Sequence, residues 1–286
     1  MIDTDVSILG CGWLGRALGQ HLVEHDVRVR GSTTTPEKVE ALQQDGIEPY
    51  LLTLDPGLSG DDVTSFFTSP VLVLNVPPPR GHDDVRSRHL RQIDAVRSAA
   101  ATGAVRWVLF ASSTSVYPNV EQRVTEADVP PGEPDALSGP RRSTGRVLLE
   151  AEARLMDDSA FDTTIVRFGG LYGDDRHPGR FLAGRSDVGR PKAPVNLIHQ
   201  DDCVSLLRTL IEQDCRDDVF NACADAHPTR REVYTRAAKV LGLESPSFDD
   251  TDATTGKIVD NQKVKDQCGY RLRHPDPLAD LEASGT

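Results

Sequence analysis

Val6-Ser7-Ile8-Leu9-Gly10-Cys11-Gly12-Trp13-Leu14-Gly15 is the stretch whose reading decides the fold. Its first four residues form a short, mainly apolar run, as expected of a parallel strand buried on both faces. The run enters a G-x-G-x-x-G that follows a strand and opens a helix, the context in which this spacing reads as dinucleotide binding. Gly10 can take the tight turn, Gly12 lacks the Cβ that would block a pyrophosphate, and Gly15 lets the helix lie close on the strand. The helix N-terminus then offers unpaired N–H groups and a positive dipole end to phosphates, with Trp13 and Leu14 as neighbouring contacts. Leu14, Ala17, Leu18, His21 and Leu22 give the helix a mostly apolar face, and Val27-Arg28-Val29-Arg30 reads as the second strand. Glycines also serve plain turns, but both flanks here favour a nucleotide.

The end of the second strand selects the nucleotide. A site for NAD usually places Asp or Glu there, against the ribose 2′-OH, whereas a 2′-phosphate needs that acid absent and donors present. Arg30-Gly31-Ser32-Thr33-Thr34-Thr35 contains no acid before Glu37. Arg30 could pair a 2′-phosphate, and Ser32 and Thr33 could hydrogen-bond it, which favours NADP over NAD. Alternatively the hydroxyl residues cap a helix that starts near Pro36.

Outward from this unit, strand and helix keep alternating. Tyr50–Leu54 supplies a third strand and Val71–Val76 a fourth. The fourth ends in Asn75-Val76-Pro77-Pro78-Pro79, so the chain leaves the sheet at the carboxyl end of the strand, where open α/β sheets bind ligands; Asn75, Val76 and Pro77 join the candidate cofactor contacts. A helix near Asp84–Ala101 leads to a fifth strand, Trp107–Ala111. The expected fold is α/β, a doubly wound parallel (Rossmann) sheet of order 3-2-1-4-5 with a smaller C-terminal substrate lobe. Residues Ser112–Gly145 read as a long active-site loop, Arg146–Met156 as a helix and Thr163–Phe168 as a sixth strand. The division places the NAD(P)-binding domain at residues 1–168 and the lobe at 169–286, with about 196–225 open to a return into the main domain. Helices are expected near Asp201–Gln213 and Thr229–Leu241.

The 286 residues suffice for a substantial core. A net charge of −12 argues against nucleic-acid and anionic-membrane partners. Cys11, Cys203, Cys215, Cys223 and Cys268 are odd in number and form no C-x-x-C pair, so reduced thiols without a disulfide or zinc site are expected in a cytoplasmic protein. No apolar run approaches a membrane span, and Met1-Ile2-Asp3-Thr4-Asp5 does not read as a signal peptide.

At Phe110-Ala111-Ser112-Ser113-Thr114-Ser115-Val116-Tyr117 the chain resembles the extended short-chain dehydrogenase/reductases, the NAD-dependent epimerase/dehydratase superfamily. Arg167-Phe168-Gly169-Gly170-Leu171-Tyr172-Gly173, Asn196-Leu197-Ile198-His199-Gln200-Asp201-Asp202 and Phe220-Asn221-Ala222 are similar to later stretches of that family, so the resemblance covers nearly the whole chain. Ser143-Thr144-Gly145-Arg146-Val147-Leu148 and Arg176-His177-Pro178-Gly179-Arg180-Phe181 look like an atypical bacterial subgroup without the Tyr-x-x-x-Lys motif and of poorly defined activity. In the family, a serine, a tyrosine and a lysine four residues after it carry the chemistry. The resemblance matches the serine to Ser113 and sets Arg142 and Arg146 in the tyrosine and lysine positions.

Arg146 could replace the lysine as a fixed charge on the nicotinamide ribose, but a guanidinium cannot shuttle a proton near pH 7. Tyr117 is the first candidate for that role, followed by Tyr172, His177 and His199. Each has a plainer reading, the tyrosines as packing aromatics and the histidines as a loop or hydrogen-bonded core residue. Arg142, Tyr172, His177 and Arg180 are candidate substrate contacts, and the loop Asp174–Arg180 reads equally as an anion clamp or a solvated loop. The expected protein is an NAD(P)-dependent oxidoreductase or epimerase/dehydratase-like enzyme acting on a small polar substrate, with an anionic one open and no metal. A non-catalytic NAD(P)-binding sensor and an enzyme without net redox change are the alternatives. The resemblance leaves open a homodimer through the helices near Asp84–Ala101 and Arg146–Met156.

Overall fold

The computed structural model describes residues 4–79 and 84–283. Met1, Ile2 and Asp3 of the N-terminal stretch lie outside the described residues. In chain order the strands are β1 (Val6–Leu9), β2 (Val29–Thr33), β3 (Glu48–Leu54), β4 (Leu58–Gly60), β5 (Val71–Leu74), β6 (Trp107–Ser113), β7 (Arg123–Val124), β8 (Asp162–Phe168), β9 (Gly170–Tyr172), β10 (Leu197–His199), β11 (Val219–Ala222) and β12 (Ile258–Val259). The helices are α1 (Trp13–Val23), α2 (Val39–Gln44), α3 (Val63–Phe66), α4 (Val85–Thr102), α5 (Ser143–Met156), α6 (Gly179–Leu182), α7 (Gln200–Glu212), α8 (Arg230–Val240), α9 (Gln262–Cys268) and α10 (Pro277–Ala283).

The main sheet has the order β11-β8-β6-β5-β1-β2-β3-β4, parallel throughout except for β4, which runs antiparallel to β3. Apart from that edge hairpin, this is a doubly wound α/β fold. Alternation along each strand explains the unbroken apolar runs: Val71 and Val73 face one core and Leu72 and Leu74 the other, as do Trp107 and Leu109 against Val108 and Phe110. In a strand covered on both faces a polar side chain needs a buried partner, as Ser7 of β1 and Arg30 of β2 find in Ser69. α1 and α7 contribute to the first core, α4 and α5 to the second.

Several boundaries differ from expectation: β3 begins at Glu48, β6 runs on to Ser113, α5 begins at Ser143, and two more differ beside the glycine turn. The second strand spans Val29–Thr33 instead of Val27–Arg30. Gly31 is the cause: a Cβ there would lie 2.6 Å from Ile47 Cγ2 and 2.7 Å from Cys11 Sγ, so the glycine marks a close approach inside the strand and not its end. The fourth strand stops at Leu74, which puts Asn75, Val76 and Pro77 in the following loop.

The C-terminal half is threaded back through the first. β11 pairs with β8 at the edge of the main sheet, and α7 packs along α1. A small third core of Tyr172, Leu197, Val233, Ala237 and Leu281 holds the remainder. The expectation of reduced thiols fails at one pair, because Cys215, just past α7, and Cys268, at the end of α9, form a disulfide. Their 53-residue separation hides the pair in the sequence, and packing brings the Cα atoms to 6.5 Å, within reach of a bridge. Cys11, Cys203 and Cys223 are buried free thiols. No described helix is long and apolar enough to cross a membrane.

Candidate active site

The glycine turn is pinned from both sides. Gly10 has φ +105°, and a Cβ on it would lie 2.5 Å from Asn75 O. Gly10 N donates to Ser32 Oγ at 2.9 Å and Cys11 N to Ser32 O at 2.8 Å, while Asn75 Nδ2 donates to Gly10 O at 3.1 Å. Gly15 seats the helix, since a Cβ there would meet Gly10 O at 2.3 Å. Gly12 is the contrast: nothing lies within 4 Å of its Cβ position. Its helix has no side-chain cap and no acid in the first turn. An open space facing uncapped N–H groups fits a dinucleotide pyrophosphate. A cavity of about 570 Å³ opens here, lined by Gly12, Trp13, Arg16, Lys38 and Gln200 among others. Leu14 is buried in the core beneath the turn, Val76 lies against Gly10, and Pro77 is exposed.

The structure moves the adenosine-ribose contacts. Arg30 lies inside β2, opposite Ser7, where its Nη1 donates to Asp5 Oδ2 at 3.1 Å and to Ser69 Oγ at 2.6 Å. It is buried, held by Nη1 to these groups and absent from the lining of the cavity at Gly12, so it is not placed as a 2′-phosphate ligand. Ser32 shapes the glycine turn, and Thr33 Oγ1 accepts from Thr35 N at 3.1 Å. The cations that line the cavity are Lys38 and Arg16, the latter ion-paired to Asp45. Sequence reasoning passed over both because neither stands at the strand end.

Ser113 ends β6, and its Oγ accepts from Ser115 N at 3.2 Å, capping the 3₁₀ turn Thr114–Val116. Its hydroxyl proton remains available to a substrate oxygen. The N-terminus of α5 is locked against this turn, because a Cβ on Gly145 would lie 2.1 Å from Ser115 O. Arg142 and Arg146 are both exposed at that end. Tyr117, by contrast, is 1% exposed. Its hydroxyl donates to Asn221 Oδ1 at 2.7 Å and accepts from Arg167 Nη1 at 3.0 Å, and burial raises its pKa. A sealed phenol with both bonds used cannot exchange a proton with a substrate, which corrects the first proton-transfer candidate.

Lys257 is the residue missed here. It comes from the loop before β12, and its Nζ donates to Tyr117 O at 2.7 Å. Burial, then the charges of Arg142, Arg141 and Arg190, lower its pKa to about 8. Only the fold reveals it, since 140 residues separate it from Tyr117. Arg141 is structural, donating to the carbonyls of Val116, Pro134 and Leu137.

The remaining candidates gather elsewhere. Tyr172, His177 and His199 line a second cavity of about 350 Å³ together with Asp201, His274 and Asp280. Burial and the Asp280 carboxylate, to which Tyr172 donates, push its phenol up, away from proton exchange at neutral pH. Burial, then Arg180, lowers His177. Arg180 itself is exposed outside this cavity.

No family model matches the chain. Over 277 residues, covering 96% of this chain and 97% of the relative, it is 34% identical to protein YeeZ of Escherichia coli K12. It superposes with a TM-score of 0.74 and 25% identity on a functionally unknown conserved protein from Silicibacter pomeroyi, covering 98% of both chains. A short-chain dehydrogenase/reductase superfamily protein from Agrobacterium tumefaciens with bound NAD gives 0.74 at 18% identity, over 98% of this chain and 96% of that one. UDP-glucuronic acid 4-epimerase from Bacillus cereus in complex with NAD gives 0.77 at 16%, over 98% and 97%. The last two likenesses establish a shared fold.

Proposed function

The chain belongs to the family of the Escherichia coli protein YeeZ, and from that premise and the fold it shares with NAD-dependent enzymes we propose that it is an NAD(P)-dependent oxidoreductase or epimerase/dehydratase-like enzyme acting on a small anionic substrate. The observation that carries this reading is the glycine turn, whose open space at Gly12 faces an uncapped helix N-terminus. Bound there, the dinucleotide would supply hydride transfer. NADP is the preferred form, because no acid follows β2 before Glu37 and Lys38 and Arg16 line the cavity beside Gly12.

On the substrate side, Ser113 Oγ can donate to a substrate oxygen. Arg142, Arg190 and Lys257 set positive charge around the same end of α5, suited to a carboxylate or phosphate. Lys257 Nζ has a proton that can move near neutral pH, a role the Arg142 guanidinium cannot fill. Arg146 offers a fixed charge one turn into α5. The burial of Tyr117 favours a second reading, a non-catalytic NAD(P)-binding sensor.

Titrating the full chain with NADPH and NADH, by calorimetry and by tryptophan fluorescence, tests the proposal. Trp107 is buried in the core and Trp13 lines the cavity, so a fluorescence change reports on the glycine turn. We expect saturable binding that Gly12→Val abolishes, with Lys38→Ala weakening NADPH about tenfold, or roughly 1.4 kcal/mol, and NADH little. Failure of both nucleotides to bind below millimolar concentration would overturn it.

A further inference from the structure

The cavity lined by Tyr172, His177 and His199 has a chemistry that dinucleotide binding does not use. We propose that His199, Asp201 and His274 form a binding site for a divalent transition-metal ion of the zinc or cobalt class, with coordination positions open to this cavity.

Each of the three residues offers one ligand atom, and the three atoms lie within 4.8 Å of one another. Asp201 Oδ2 stands 3.8 Å from His199 Nδ1 and 3.5 Å from His274 Nε2. An ion with bonds of about 2.0–2.2 Å sets its ligands roughly 3–4 Å apart, so small side-chain rotations close the site. Asp201, the most exposed of the three, has the freedom to move. Two imidazoles and a carboxylate suit zinc, cobalt and their neighbours in preference to magnesium or calcium, which take oxygen ligands.

Further observations bear on a cation here. His274 Nδ1 lies 3.0 Å from Asp280 Oδ1, and Asp280 also accepts from Tyr172. A carboxylate that holds the far nitrogen of a histidine fixes the ring with Nε2 turned outward, as metal sites commonly do. The cavity carries the carboxylates of Asp174, Asp201 and Asp280 and, among the described residues, no lysine or arginine. His177 Nδ1 accepts from Gly179 N at 3.1 Å, and its buried Nε2, in the wall of the same cavity, has no hydrogen-bond partner among the described residues. With Nδ1 accepting, that nitrogen is an unspent donor in the cavity wall. The rings of His199 and His274 stack with centroids 3.8 Å apart, and His199 Nδ1 accepts from Asp201 N at 3.2 Å, so His199 would ligate by exchanging that bond for the ion or by presenting its other ring nitrogen.

The test is calorimetry of Zn²⁺ and Co²⁺ with the full chain after chelator treatment and dialysis, together with the visible spectrum of the Co²⁺ form. We expect one ion per chain, a Co²⁺ d–d spectrum without thiolate bands, and at least tenfold weaker Mg²⁺ binding. His274→Ala and Asp201→Asn should each abolish tight binding, and Asp280→Asn should weaken it about 10–100-fold. Asp201→Asn changes an exposed side chain, so it keeps the test decisive if His274→Ala fails to fold. Absence of stoichiometric Zn²⁺ and Co²⁺ binding, or binding that survives Asp201→Asn with thiolate bands, would overturn the proposal. The readout is independent of nucleotide binding.

Discussion

Arg167 and Glu152 are wholly buried beneath the candidate active site and show how single residues can divide support from chemistry. Arg167 donates to both carboxylate oxygens, at 3.1 and 2.6 Å, and Ser112 Oγ adds a third bond to Glu152 at 2.5 Å. The same guanidinium holds Tyr117, so the residue whose sequence position suggested catalysis is a strut between β6, β8 and β11. Glu152→Ala strands a buried cation and should cost about 3–5 kcal/mol, read as a lower urea midpoint. Replacing the pair by Glu152→Leu and Arg167→Met together should recover most of that loss. A single-variant loss under about 1 kcal/mol would mean that water reaches the pair. Arg30 teaches the same lesson at the other end of the sheet. Its residue type suited a phosphate, but a long side chain reaches in either direction, and packing beside Asp5 and Ser69 settled which.

At the scale of elements, the glycine turn separates folding from binding within four residues. Gly15→Ala would push a methyl into Gly10 O and should cost about 1–3 kcal/mol as well as nucleotide affinity. Gly12 has ordinary backbone angles, φ −80° and ψ −151°, and open space, so Gly12→Ala should leave stability within about 0.5 kcal/mol. It should still weaken NADPH, because the methyl occupies the space proposed for the pyrophosphate. Paired thermal melts and nucleotide titrations check both outcomes; equal loss of stability in the two variants would contradict this division. These elements were legible because the signals are local: apolar runs for strands, a 3.6-residue period for α1 and α5, and glycine spacing between them. β4 was not, because a three-residue edge strand carries no period. The end of β2 was misplaced because Gly31 resembles a terminator until Ile47 and Cys11 are seen against it.

For the whole molecule, the disulfide ties the end of α7, which packs on the main sheet, to α9 in the C-terminal half. Cys215→Ser should lower stability by up to about 4 kcal/mol through the freedom returned to the unfolded chain, measured by urea unfolding against the parent. Thiol titration of the denatured, unreduced protein should find the three free cysteines, Cys11, Cys203 and Cys223; five would show the pair reduced. The same long-range closure gathers Lys257 beside Tyr117, and His274 beside His199. By itself the sequence determined the doubly wound sheet, its order through five strands and the glycine turn, because each depends on residues within one strand–helix unit. The tertiary structure alone decided that Arg30 and Tyr117 are internal supports, that Lys257 stands among arginines, and that two histidines converge with an aspartate. Where a side chain ends, and how readily it gives up a proton, depends on neighbours that only packing brings together.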